Sequence, residues 1–148
     1  MTRTIPVSEV MITDVVTVSP ETPVVVVARK MVSSETGAVV VTNKKGKLVG
    51  IITERDILAQ VVAKGGNCKK ISAGEIMSSP VVTIEQDADI IKAIEIMRQK
   101  KIRRLPVVDE GGKLCGLVTE TDILKITPEI VEIVANSNNI RQGMSYTI

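Results

Sequence analysis

The sequence predicts an α+β chain in which one β-α-β-β-α unit is written twice. Three observations carry this reading. Ile5–Leu58 aligns with Ile71–Leu124 at a constant offset without a gap, and 17 of the 54 aligned positions are identical. Each copy has a short β-branched run followed by apolar residues at helical spacing. Each copy then has two apolar runs around a Gly-containing turn, which reads as a hairpin, and closes on a helix start.

The elements follow in order. "VVTV" (15–18) and "VVTI" (81–84) are the first strands of the two copies. In the second copy Asp87 is placed to cap "ADIIKAIEIMRQKK", with Ile90, Ile91, Ile94 and Met97 on one helical face. In the first copy the same positions read "TPVVVVARKMVSS". Four consecutive valines favour a strand by local propensity. The repeat partner overrides that preference, with Thr22 as N-cap and Pro23 at the first helical position. The hairpins are "GAVVVTNKKGKLVGIIT" and "RLPVVDEGGKLCGLVT". Their continuously apolar strands are expected to be buried on both faces. "TERDILAQVV" and "TETDILKI" open the last helix of each copy. The organisation is therefore a first repeat over 5–62, a linker over 63–70 that holds Gly65, Gly66 and "NCKK", and a second repeat over 71–126. Residues 127–148 offer a short helix from Pro128 and a polar tail.

Composition narrows the function. The chain has 148 residues, enough for a core that buries roughly 70% of the unfolded surface. It has no Phe, no Trp and a single tyrosine, Tyr146, so a flat ligand would meet aliphatic walls. That disfavours single-stranded nucleic acid, which is bound on aromatic platforms. There is no His, so the commonest general base and transition-metal ligand are both missing. The cysteines, Cys68 and Cys115, have no metal-ligand spacing and fit a reducing compartment. With no nucleophile–base pair and no ligand cluster, the chain is not expected to be an enzyme or to hold a metal. The N-terminus lacks an apolar targeting core, and no run reaches ~18 apolar residues, so the expected location is the cytoplasm, away from membranes.

The lead-ins "SEVM" and "GEIM", the strands "VVTV" and "VVTI", the hairpin ends "KLVGIIT" and "KLCGLVT", the run "KKIRRLPVVD" and the T-x-x-D helix starts together carry a family pattern. Each half resembles a CBS domain, and the resemblance covers roughly residues 5–125. It implies two repeats paired through their sheets into one pseudo-twofold module, a Bateman module, with two clefts. It also implies adenosine ligands: AMP foremost, then ADP, ATP, S-adenosylmethionine or NAD. Such modules are regulatory and often homodimeric. No effector domain accompanies the repeats in these residues, so the regulated partner is expected to be another protein.

Candidate binding residues follow. Thr53-x-x-Asp56 and Thr119-x-x-Asp122 read fully as capping boxes. The same carboxylate, held at a helix start, can accept hydrogen bonds from two ribose hydroxyls, and the resemblance assigns it that role. Thr17, Val18, Thr83 and Ile84 end the first strands. The resemblance places them at an adenine pocket with Val39, Leu105 and Pro106 from the hairpins, and the residue types alone read as strand core. The run Arg98–Arg104 carries five positive charges. It reads as a solvated helix end suited to the dipole, and a nucleic-acid patch is a weaker alternative. The resemblance assigns Arg103 and Arg104 to phosphate, reaching toward the sister repeat. The copies differ here. Gly37 and Ala38 stand opposite Arg103 and Arg104, and Arg55 stands opposite Thr121. The Asp56 cleft is therefore expected to gather more positive charge than the Asp122 cleft and to bind phosphorylated adenosine more tightly. A ligand-free dimerisation scaffold is the remaining alternative.

Overall fold

The computed structural model describes residues 4–126. The notional helix and tail over 127–148 lie outside the described residues. The first copy contains β1 (Thr17–Val18), α1 (Val24–Ser33), β2 (Ala38–Thr42), β3 (Leu48–Thr53) and α2 (Glu54–Ile57), which runs on as a π-helical turn over Leu58–Val62. A short helix, α3 (Ala73–Ile76), opens the second copy. There follow β4 (Ile84–Glu85), α4 (Ile90–Lys100), β5 (Arg104–Val108), β6 (Leu114–Thr119) and α5 (Glu120–Leu124). The α+β class and the β-α-β-β-α order of each copy are as the sequence implies.

Each copy builds a three-stranded sheet, β1-β2-β3 and β4-β5-β6. The first strand pairs parallel with the second, and the hairpin closes antiparallel. The first strands are shorter than "VVTV" and "VVTI" suggest. Only Thr17–Val18 and Ile84–Glu85 find strand partners on β2 and β5. The hairpin turns are set by Asx geometry. Asn43 Oδ1 accepts from Lys45 N and Lys47 N at 3.0 and 2.9 Å, and Asp109 Oδ1 accepts from Gly111 N and Lys113 N at 2.9 Å each. Gly46 and Gly112 complete the turns at φ 78° and 79°, where a side chain is strained.

The valine run of α1 is helical despite its strand propensity. Val24, Val27 and Met31 are buried on one face, and that packing outweighs a local preference of a few tenths of a kcal/mol. Both predicted caps need correction. The N-caps are Pro23 and Asp89, at equivalent positions, rather than Thr22 and Asp87. Asp89 accepts from Ile91 N at 3.1 Å. Thr22 Oγ1 instead accepts from Ser19 N at 3.2 Å. The reason is tertiary. Pro23 and Asp89 are held extended by bridges to Ser72 and Pro6, so neither helix can begin earlier. The buried face of α4 is Ile90, Ala93 and Met97, with Ile91 and Ile94 only half-buried.

Those bridges reveal how the repeats are cut in space. The chain forms two compact units, one spanning Asp14–Val81 and the other joining 4–13 to 82–126 among the described residues. Each lead-in thus packs on the copy it does not precede. In one unit Val7 N donates to Ala88 O at 2.8 Å, and Ile12 and Leu117 exchange bonds of 2.8 and 2.9 Å. In the other, Ala73 N donates to Thr22 O at 2.7 Å, and Ser78 N donates to Ile51 O at 2.9 Å. The repeated Met and Gly of the two copies meet across this exchange. A Cβ built on Gly50 would strike the Met77 side chain, and one on Gly116 would lie 2.5 Å from Met11 Sδ and 3.0 Å from Ile12 O.

Each unit has its own aliphatic core. One centres on Val24, Val27, Val39, Ile52 and Val61, and the other on Ile90, Met97, Leu105, Val118 and Ile123. No charged or polar residue is buried among the described residues. Burial of the hairpins is unequal: Ala38–Val41 and Leu105–Val108 are buried, whereas β3 and β6 are each half-exposed at several positions.

Both long helices end in a left-handed residue that is not glycine, Glu35 at φ 52° and Lys101 at φ 55°. Left-handed backbone costs an L-residue roughly 1–2 kcal/mol, and glycine normally fills this place. Lys101→Gly is expected to stabilise the protein by about 1 kcal/mol, which would raise the melting temperature by roughly 2–4 °C for a chain of this size. A melting temperature that stays level or falls in calorimetry would show that Lys101 contributes more than its backbone strain removes.

Candidate functional site

Each copy brings the ends of its strands to one helix start. In the first, β2 and β3 pair so that Ala38 lies opposite Thr53, and Glu54 N donates to Gly37 O at 3.1 Å. In the second, Arg104 lies opposite Thr119, and Glu120 N donates to Arg103 O at 3.0 Å. Gly37–Ala38 and Arg103–Arg104 therefore sit at the mouths of α2 and α5 in their own units.

The T-x-x-D pairs cap those helices. Thr53 Oγ1 accepts from Asp56 N at 3.3 Å, and Asp56 Oδ2 accepts from Thr53 N at 2.8 Å and from Thr53 Oγ1 at 3.1 Å. This is a full capping box. In the second copy Thr119 Oγ1 donates to Asp122 Oδ2 at 2.7 Å and accepts from Asp122 N at 3.1 Å, without the return bond to the N-cap amide. Both carboxylates spend Oδ2 on the cap. No protein donor among the described residues reaches Oδ1 of either. Capping and ligand contact therefore do not compete, because the cap orients the carboxylate and leaves one oxygen for another donor. Asp56 and Asp122 are each half-buried.

The other candidates separate by depth. Val18, Val39, Ile84 and Leu105 send their side chains into the cores of their own units. Their backbone is what they can offer a ligand. Strand alternation turns Ala38 and Val40, and equally Arg104 and Pro106, to the opposite sheet face. Ala38 and Val40 were missed in the sequence reading, although alternation from Val39 points to them. Thr17 and Arg55 are exposed, and Thr83, Arg103 and Arg104 are half-buried.

Two further features bear on chemistry. Burial pushes the Cys115 thiol above its ordinary range, and the carboxylates of Asp109 and Asp87 push the same way. Its proton is held, and Cys115 Sγ lies 3.4 Å from Val107 O. A thiol in that state is a poor nucleophile. Among the described residues no group of three or more His, Cys, Asp or Glu could hold a metal ion, and no helix is long and apolar enough to cross a membrane.

The sequence pattern of the CBS domain matches residues 7–63 and 73–129. The chain belongs to the CBS-domain family. It carries two CBS domains, and the matched ranges follow the sequence repeats, whereas the compact units follow the exchanged lead-ins. An uncharacterized protein of Methanopyrus kandleri is 45% identical over 132 residues, covering 89% of this chain and 67% of that one. Inosine-5'-monophosphate dehydrogenase of Thermoplasma acidophilum is 41% identical over 115 residues, covering 78% of this chain but only 22% of the enzyme. Among solved structures, a CBS domain protein of Pyrobaculum aerophilum complexed with AMP superposes with a TM-score of 0.79 at 26% identity, covering 89% of this chain and 99% of that one.

Proposed function

We propose that this CBS pair is a regulatory module that binds an adenosine nucleotide, with AMP the leading ligand, and passes that binding to an effector protein as a shift between conformations. The observation that carries the reading is the pair of capped aspartates. Each is held at a helix start by its capping threonine, with Oδ1 available to ribose hydroxyls. The AMP bound by the Pyrobaculum aerophilum relative supports the choice of ligand class. Adenine would be held by backbone groups at Thr17–Val18 and Thr83–Ile84 and by aliphatic contact, with Pro106 and Val40 on the sheet faces turned from the cores. Arg55 supplies positive charge in the first turn beside Asp56, where Thr121 stands beside Asp122. The switch requires that ligand affinity differ between the two conformations. The module itself catalyses nothing in this reading.

A melting panel with AMP, ADP, ATP, NAD and S-adenosylmethionine tests it. A ligand at about 100 times its dissociation constant adds about 2.7 kcal/mol, equivalent to a rise of roughly 5–10 °C for a chain of this size. Absence of any rise across the panel would leave a scaffold without a ligand.

A further inference from the structure

The first strands of the two copies have different neighbours. β1 is an edge strand, paired only with β2 in its sheet. Thr17 lies opposite Val40, and Val40 N donates to Val16 O at 3.0 Å. Successive residues of a strand turn their N–H and C=O to alternate sides, so the backbone groups of Thr17 itself face the open edge. A side chain already sits at one of them. Lys30 Nζ, reaching from α1, donates to Thr17 O at 3.4 Å. Lys30 and Thr17 are both exposed, so the ammonium approaches that carbonyl from the solvent side. In the sister repeat the equivalent residue is Ile96, half-buried against the core of its unit. An isoleucine has no donor to give Thr83 O.

That single difference reverses the polarity a base would meet. A bare strand-end carbonyl is an acceptor and suits the exocyclic amine of adenine. An ammonium carries donors and no acceptor. An adenine amine brought to Thr17 O therefore meets a second donor and has to evict it. A 6-oxopurine, guanine or hypoxanthine, presents an acceptor at O6 and a donor at N1. Its O6 can accept from Lys30 Nζ while its N1–H donates to the other lone pair of Thr17 O. The bond from the ammonium is charge-assisted, which makes it the stronger kind. Ribose and phosphate are common to both classes of nucleotide, so the selection acts on the base alone.

We propose that Lys30 sets base selection at the Thr17 strand end, which prefers a 6-oxopurine nucleotide, whereas the Thr83 end, with Ile96 behind it, prefers adenine. This rests on the reading that the strand-end backbone meets the base of a bound nucleotide. It goes beyond that reading by dividing the purines between the repeats, so that one chain responds to two classes of nucleotide.

Calorimetric titration of the full chain with inosine monophosphate and with AMP tests it, because these probes differ only at the 6-substituent and the N1 proton. Lys30→Met keeps the length of the side chain and removes the donor, and Lys30→Arg keeps a donor. Lys30 is exposed, so both variants are expected to melt like the wild type without ligand. The wild-type chain is expected to bind inosine monophosphate. Lys30→Met is expected to weaken that binding by about tenfold, the loss of one bond from a charged donor. The same variant should bind AMP at least as tightly as the wild type, and Lys30→Arg should retain inosine monophosphate. An unchanged affinity for inosine monophosphate in Lys30→Met overturns the proposal. So does an equal loss of both nucleotides, which would place Lys30 at the phosphate rather than the base. AMP binding without any binding of inosine monophosphate to the wild type overturns the base selection alone. Binding of neither nucleotide overturns the nucleotide reading and the proposal with it.

Discussion

Asp56→Ala is expected to abolish most of the AMP-induced rise in melting temperature, whereas Asp122→Ala leaves most of it intact. Two effects of the first substitution must be separated. The capping box at α2 is lost, which lowers the stability of the ligand-free protein by about 1 kcal/mol. The ligand loses the carboxylate that would accept its ribose hydroxyls, which removes most of the roughly 2.7 kcal/mol that saturating ligand adds. Each variant is therefore compared with its own ligand-free melt. Asp56→Asn divides the two effects further. Its side-chain oxygen can still accept from Thr53 N at the third helical position, but it brings no charge and leaves one fewer acceptor for the ribose. Its ligand-free stability should stay near wild type while its ligand response falls. The difference between Asp56 and Asp122 rests on charge. Arg55 stands in the first turn of α2 where Thr121 stands in α5. Two calorimetric AMP sites of equal affinity would contradict this ranking. So would a larger loss from Asp122→Ala.

Gly116→Ala is expected to destabilise the protein by about 2–3 kcal/mol, a large cost for one methyl group on a strand. The added Cβ meets both the Met11 side chain and the Ile12 carbonyl, and that carbonyl is fixed by its bond from Leu117 N at 2.9 Å. Gly50→Ala meets Met77 along its length, down to Cβ at 2.9 Å, so its cost is expected to be of the same order, about 2–3 kcal/mol. Double-mutant cycles test both sites. Met77→Ala should offset part of the Gly50→Ala penalty, because it removes Sδ and Cγ and leaves Cβ 2.9 Å away. Met11→Ala should likewise offset part of the Gly116→Ala penalty, because it removes Sδ and Cγ and leaves the Ile12 carbonyl 3.0 Å away. Additive effects at both sites would show that the lead-ins do not press on these strands.

This exchange of lead-ins is where sequence and structure part. Met11 and Met77, and Gly50 and Gly116, are each visible as repeat partners. Nothing in a one-dimensional repeat says that Met77 packs on Gly50 rather than Met11. The choice depends on which sheet edge each segment reaches, and that is settled by long-range backbone bonds such as Ile12 to Leu117 and Ser78 to Ile51. The misplaced helix caps have the same origin. Thr22 and Asp87 have good capping chemistry. Bridges from Ser72 and Pro6 hold the next residues extended, and tertiary pairing outweighs a cap of about 1 kcal/mol.

The candidate site was legible where its chemistry is local. A threonine and an aspartate three residues apart define a helix start by their own hydrogen bonds, and those bonds form in both copies. The wall residues were not equally legible. Val39 and Val40 are adjacent valines in a buried strand, and only the position of the core decides that Val39 faces inward.

The sequence by itself determined the repeat, the order of the elements, the two helix starts and the family. Those properties follow from residue types at fixed spacing, which short-range geometry reads directly. Only the tertiary structure decided which copy each lead-in completes, where α1 and α4 begin, and which oxygen of Asp56 and Asp122 the cap leaves available. It also decided that the exposed Val32 and Leu58 line one groove. These depend on contacts between segments far apart in the chain, whose geometry no local pattern encodes.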